Sequence, residues 1–149
     1  MAALELFNFL HFLGLAFGLG GATFAAVISS KAAKDEDVGK ALMKIMPSIV
    51  KFIWIGMLLL IISGIALSFL ITWPLNRQIL IIKHILVAWI VVIGIVIGTR
   101  MKKMKNLAPV GRLHEKPSPK FIKIKKQIKF FSTINLILWY LVALLSVFV

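Results

Sequence analysis

The chain has 149 residues, 60% of them hydrophobic and only 15% charged, with a formal net charge of +13 and no cysteine. A soluble protein of this size has no core large enough for that much apolar side chain, so the excess must face lipid. The lack of cysteine excludes disulfides, thiolate-held zinc, iron-sulfur clusters and covalent haem attachment. The basic residues sit between hydrophobic blocks instead of being interleaved with aromatic ones on a folded surface, which argues against nucleic acid as a partner.

The first apolar block covers 4–29 and carries Asn8, His11, Gly14 and Gly18. It has no basic segment ahead of it and ends in Ile28-Ser29-Ser30-Lys31, which predicts a retained span in place of a cleaved signal. The loop 30–51 follows, with Lys31, Lys34, Lys40, Lys44 and Lys51. Within it Asp35-Glu36-Asp37, followed by Val38, Ala41, Leu42, Ile45 and Met46, predicts an acidic cap on a short interfacial helix that Pro47 interrupts. The second block, 52–73, offers Gly56, Ser63 and Gly64. After a short connection holding Arg77, the third block, 79–98, carries Lys83, His84 and Ala88. The long loop 99–129 is densely basic, is broken by Pro109, Gly111 and Pro117, and is expected to lay its lysines on anionic headgroups. His114 in that loop is read as solvated. The fourth block is 130–149.

Each block is close to the roughly 20 apolar residues with which a helix crosses about 30 Å of hydrocarbon. Val, Ile and Phe are abundant, but open strands leave backbone groups unsatisfied in lipid, and so few strands cannot close a barrel. The predicted fold is therefore an all-α integral membrane four-helix bundle, a single domain over 1–149. Alternate loops share a side, and the excess of cations in the first and third loops places them in the cytoplasm with both termini outside.

The two histidines within spans bear most on function. His11 lies about seven residues from the outer end of the first span and His84 about five from the outer end of the third, so both sit roughly 8 to 10 Å deep. Ionisable groups in a span are costly and are functional suspects, although one histidine alone also fits a simple interhelical hydrogen bond. Two at matching depth on different helices suit axial ligation of a haem iron. Helical steps from His11 reach Gly14 and Gly18, a face bare enough for a flat macrocycle; close helix packing is the competing reading of the same glycines. Ala88 lies one turn from His84, Asn8 is placed to orient the His11 ring, and Lys83 or Arg77 to pair with haem propionates, with snorkelling to headgroups as the alternative for Lys83. Met43-x-x-Met46 and Met101-x-x-Met104 have the spacing of thioether copper pairs, but in basic segments at the membrane surface they are read as apolar anchors, with copper the lesser alternative.

The stretch Leu10-His11-Phe12-Leu13-Gly14-Leu15-Ala16-Phe17-Gly18-Leu19-Gly20-Gly21 resembles the opening helix of the small four-span HemJ/CopD-like membrane proteins, in which a histidine precedes a glycine-rich turn. Ile82-Lys83-His84-Ile85-Leu86-Val87 is similar to their third helix, and Asn135 to an asparagine early in their last. The resemblance implies a haem b protein with protoporphyrinogen oxidation as its activity for the HemJ branch, and copper handling for the CopD branch. Where HemJ-like proteins continue with a basic and aromatic motif holding a further histidine, this chain reads Ala22-Thr23-Phe24-Ala25-Ala26-Val27.

The expectation is thus a haem b electron carrier of a prokaryotic cytoplasmic membrane, ligated by His11 and His84. It would exchange electrons with a quinol or an external carrier protein, alone, as a homo-oligomer or in a larger complex. A HemJ-like oxidase and an accessory or copper-handling subunit without haem are the alternatives.

Overall fold

The computed structural model describes residues 2–71, 76–107 and 118–148, with every side chain among them except those of Glu36 and Lys40. These residues form α1 (Ala2–Leu15), a π-helical turn (Ala16–Gly20), α2 (Gly21–Ala32), α3 (Glu36–Leu70), α4 (Arg77–Leu107) and α5 (Pro119–Leu145). No strand occurs among them. The first two helices and the π turn run on as one 31-residue rod, here called helix 1, and among the described residues four helices are long and apolar enough to cross a bilayer. The expected all-α class is what the structure shows, and the physical reason is that a helix pairs its backbone groups within itself, where lipid offers no partner. Phe69, 84% exposed, and Trp89, 57% exposed, show how much apolar side chain is left for that lipid.

The helices outrun the apolar blocks that predicted them. Asp35 caps α3 as expected, its carboxylate accepting from the backbone N–H groups of Asp37 and Val38 at 3.0 and 3.2 Å. Pro47, however, does not interrupt the helix: α3 continues through it to Leu70. A proline inside a helix forgoes one backbone bond, and the long apolar flank packed on helix 1 carries the helix across that loss. The loop 99–129 is likewise helical as far as Leu107 and again from Pro119, where Ser118 caps α5 by accepting from the Phe121 N–H at 3.2 Å. Proline at the first helical position is well suited there because its missing N–H has no intrahelical partner anyway. The lysine run after Ser118 therefore continues the fourth span and does not lie as a separate segment. The breaks at Pro109, Gly111 and Pro117, His114, and the span residues 72–73 and 149 lie outside the described residues.

The chain divides into two compact units, Met1–Leu75 and Asn76–Val149. In the first, α3 packs along helix 1, and the two meet at glycines. A Cβ built on Gly56 would stand 2.7 Å from the Gly14 carbonyl oxygen, 2.8 Å from the Phe17 carbonyl carbon and closer still to the Gly18 nitrogen. Only residues without side chains allow backbones to approach so far. Phe17 and Phe52 lock the next turn edge to face, ring centroids 5.8 Å apart.

In the second unit α4 packs on α5. Along α4 the positions withdrawn from solvent include Val87, Ile90, Gly94, Ile97, Met101 and Met104, spaced alternately by three and four. On α5 they include Phe121, Ile124, Ile128, Phe131, Asn135 and Leu138, with the same alternation, and the buried Trp139 lies beside them. This heptad pattern keeps one seam facing the partner helix, as in a coiled coil. It runs without a break from the apolar spans into the lysine-bearing segments, and Met101 and Met104 serve in it as packing residues.

Candidate functional site

In the first unit the polar centre is His11 with Ser63. His11 Nδ1 lies 2.9 Å from Ser63 Oγ, and Ser63 has no exposed surface. The serine hydroxyl has a single proton, which it donates to the Leu59 carbonyl one turn back on α3. Its oxygen is then left to accept, so the bond runs from His11 Nδ1–H to Ser63 Oγ. In a neutral imidazole the lone pair consequently lies on Nε2. Gly64 of α3 lies beside the ring: a Cβ there would stand 3.7 Å from His11 Cε1, in ordinary contact. The Nδ1 orienter is thus Ser63 on the facing helix, whereas Asn8, expected in that role, is exposed. In the sequence Ser63 is legible only as a small residue of the second apolar block, which also holds Ser68.

The glycines below His11 do not form an open face. Gly14 and Gly18 are buried, and a Cβ on Gly14 would stand 2.8 Å from the Gly56 carbonyl oxygen and 2.9 Å from the Leu60 backbone nitrogen. The space expected to admit a macrocycle is filled by the backbone of α3, which is the close-packing reading of those residues.

In the second unit His84 is exposed, on the side of α4 turned away from the seam, together with Ala88 one turn on. Its Nδ1 lies 2.7 Å from the Leu80 carbonyl oxygen. A carbonyl only accepts, so His84 also donates from Nδ1 and, when neutral, carries its lone pair on Nε2. Lys83 is half-buried toward the seam, and Arg77 is exposed as the first residue of α4. Deeper in α5, Asn135 and Trp139 are buried one turn apart, with Asn135 Oδ1 and Trp139 Nε1 lacking hydrogen-bond partners among the described residues.

A metal-binding imidazole nearly always donates its second ring nitrogen to a backbone carbonyl, hydroxyl or carboxylate, which sets the tautomer and the ring direction. By donor chemistry His11 and His84 both fit that requirement, while Gly14 and Gly18 do not fit as a cradle. Among the described residues no three of His, Cys, Asp and Glu come together, so the candidate ligands are single imidazoles. No family model matches this chain, and no curated protein or solved structure matches it.

Proposed function

We propose that the chain is a membrane b-type haem protein that transfers electrons, with His11 and His84 as the imidazoles that hold iron. One observation carries the reading: each of these histidines has Nδ1 committed as a donor, to Ser63 Oγ and to the Leu80 carbonyl, which leaves Nε2 as the basic nitrogen. Haem held by two imidazoles supplies one-electron transfer with no open coordination position for a substrate. The protein's part is to hold each ring: Ser63 fixes the direction of His11 from α3, and Leu80 that of His84 from its own helix. Lys83 and Arg77 supply cations for porphyrin carboxylates. The basic loops belong on the cytoplasmic side by their charge, which puts both termini, His11 and His84 at the outer side of a prokaryotic cytoplasmic membrane and suits a quinol or an external carrier protein as redox partner.

The test is an absorption spectrum of purified protein, oxidised and then reduced. A six-coordinate low-spin spectrum is expected, converted to five-coordinate or lost in His11→Ala and in His84→Ala and unchanged in His114→Ala. An unaltered spectrum in His84→Ala refutes paired ligation. A five-coordinate spectrum in the native protein supports instead a HemJ-like oxidase, with His11 alone on the iron. The covering of Gly14 and Gly18 by α3 favours a second reading, in which His11 and Ser63 only join two helices of an accessory subunit; purified protein that is colourless and takes up no haem establishes it. A reporter fused after Val149 and reading out as cytoplasmic reverses the proposed orientation.

A further inference from the structure

Charge is divided very unevenly between the units. Residues 76–149 hold thirteen of the eighteen Lys and Arg and one of the five acidic residues, Glu115, so they carry +12 of the net +13. Residues 1–75 set Asp35, Glu36 and Asp37 beside their lysines, so topology alone does not require the second unit to lack counter-charges. Among the described residues of that unit there is no Asp or Glu, so its described lysines have no carboxylate side chain to pair with among them.

The α4–α5 seam holds these cations in place. Because Met101, Met104, Phe121, Ile124 and Ile128 face inward, Lys102, Lys103, Lys125, Lys126 and Lys129 are exposed around the outside of a paired, helical stem. Depth follows from helix rise. Taking the hydrocarbon edge at Gly98 on α4 and Phe130 on α5, the five lysines lie about 1.5 to 7.5 Å beyond it at 1.5 Å per residue. The headgroup layer reaches roughly 5 to 7 Å past the hydrocarbon on each side. These ammonium groups therefore sit at the level of lipid phosphates.

We propose that this collar of lysines on the α4–α5 stem is a binding site for anionic phospholipid headgroups, selecting them over zwitterionic ones. Five ammonium groups on one rigid stem repel each other unless anions lie among them, and phosphates without a compensating choline are the anions concentrated at that depth. A soluble polyanion would have to compete from beyond the headgroups, where fewer of the five lysines reach it. The proposal is independent of haem.

The experiment uses the full chain, delipidated in detergent and equilibrated with equimolar phosphatidylglycerol and phosphatidylcholine, with retained lipid counted by native mass spectrometry. Phosphatidylglycerol should be enriched roughly fivefold or more at 0.15 M salt, since one cation at the surface is worth about that factor. Enrichment should fall as salt is raised. The Lys125→Gln, Lys126→Gln, Lys129→Gln triple variant should lose most of it, and the same three positions changed to Arg should keep it. Lys31→Gln with Lys34→Gln, in the other unit, should leave it unchanged. Helicity by circular dichroism checks folding, and the salt titration of native protein tests the site without any substitution. Equal retention of both lipids by the native chain overturns the proposal, as does equal loss in the Lys31/Lys34 variant. Binding of fluorescent polyphosphate without lipid selectivity also overturns it and assigns a soluble polyanion.

Discussion

Gly56→Ala probes the closest approach in the first unit. The new methyl group would meet the Gly14 carbonyl oxygen at 2.7 Å and the Phe17 carbonyl carbon at 2.8 Å, and the Gly18 nitrogen closer still. All three are backbone atoms of helix 1, so no side chain can rotate away. Helix 1 and α3 must separate by about 1 Å, a gap that forfeits between about a quarter and a half of the dispersion energy of contacts along the seam. Overpacking of this kind costs about 1 to 3 kcal/mol. The loss should also weaken the His11–Ser63 bond, since those residues join the same two helices. Gly20→Ala is the matched control, because a Cβ there has nothing within 4 Å. Reversible unfolding in SDS and mild detergent, followed by circular dichroism and tryptophan fluorescence, measures both. Gly56→Ala should unfold at a clearly lower SDS fraction and Gly20→Ala should not. Equal midpoints for the two variants would refute the glycine-mediated approach of helix 1 to α3.

Ser63→Ala removes the acceptor of His11 Nδ1–H and should cost about 1 kcal/mol, the usual scale of an interhelical hydrogen bond in a membrane; nitrogen-15 NMR of labelled histidine should show His11 losing its preference for the Nδ1–H form, and an unchanged tautomer would argue against the Ser63 bond. Pro47→Ala restores a backbone N–H to α3 and should raise stability by about 1 to 3 kcal/mol in the same SDS titration; a loss of stability would mean that the proline shapes a bend the fold requires. Asp35→Ala deletes the cap on α3 and should cost about 1 kcal/mol, with faster amide exchange at Asp37 and Val38 as its local signature. Unchanged exchange at both amides would place their hydrogen bonds elsewhere.

Much of the fold is legible in the sequence because lipid is an undemanding solvent to reason about. An apolar run of sufficient length must satisfy its own backbone, so the four helices and the all-α class follow from composition and block length without any knowledge of neighbours. The acidic cap at Asp35 is legible for the same local reason, since a side chain bonds to amides two and three residues away. Helix ends are less so: where hydropathy falls, at Gly98 and before Phe130, the helices continue because Met101, Met104, Phe121 and Ile124 lie along one seam, a long-range gain that no single segment records. The candidate site divides in the same way. His11 and His84 stand out by being ionisable in apolar spans, yet the partners of their Nδ1 atoms and the filling of the face at Gly14 and Gly18 depend on what stands opposite. A glycine facing nothing and a glycine facing another backbone are identical in sequence; only the tertiary structure, by bringing Gly56 and Ser63 of α3 against helix 1, decides that Gly14 is of the second kind and that the histidine is held by a serine.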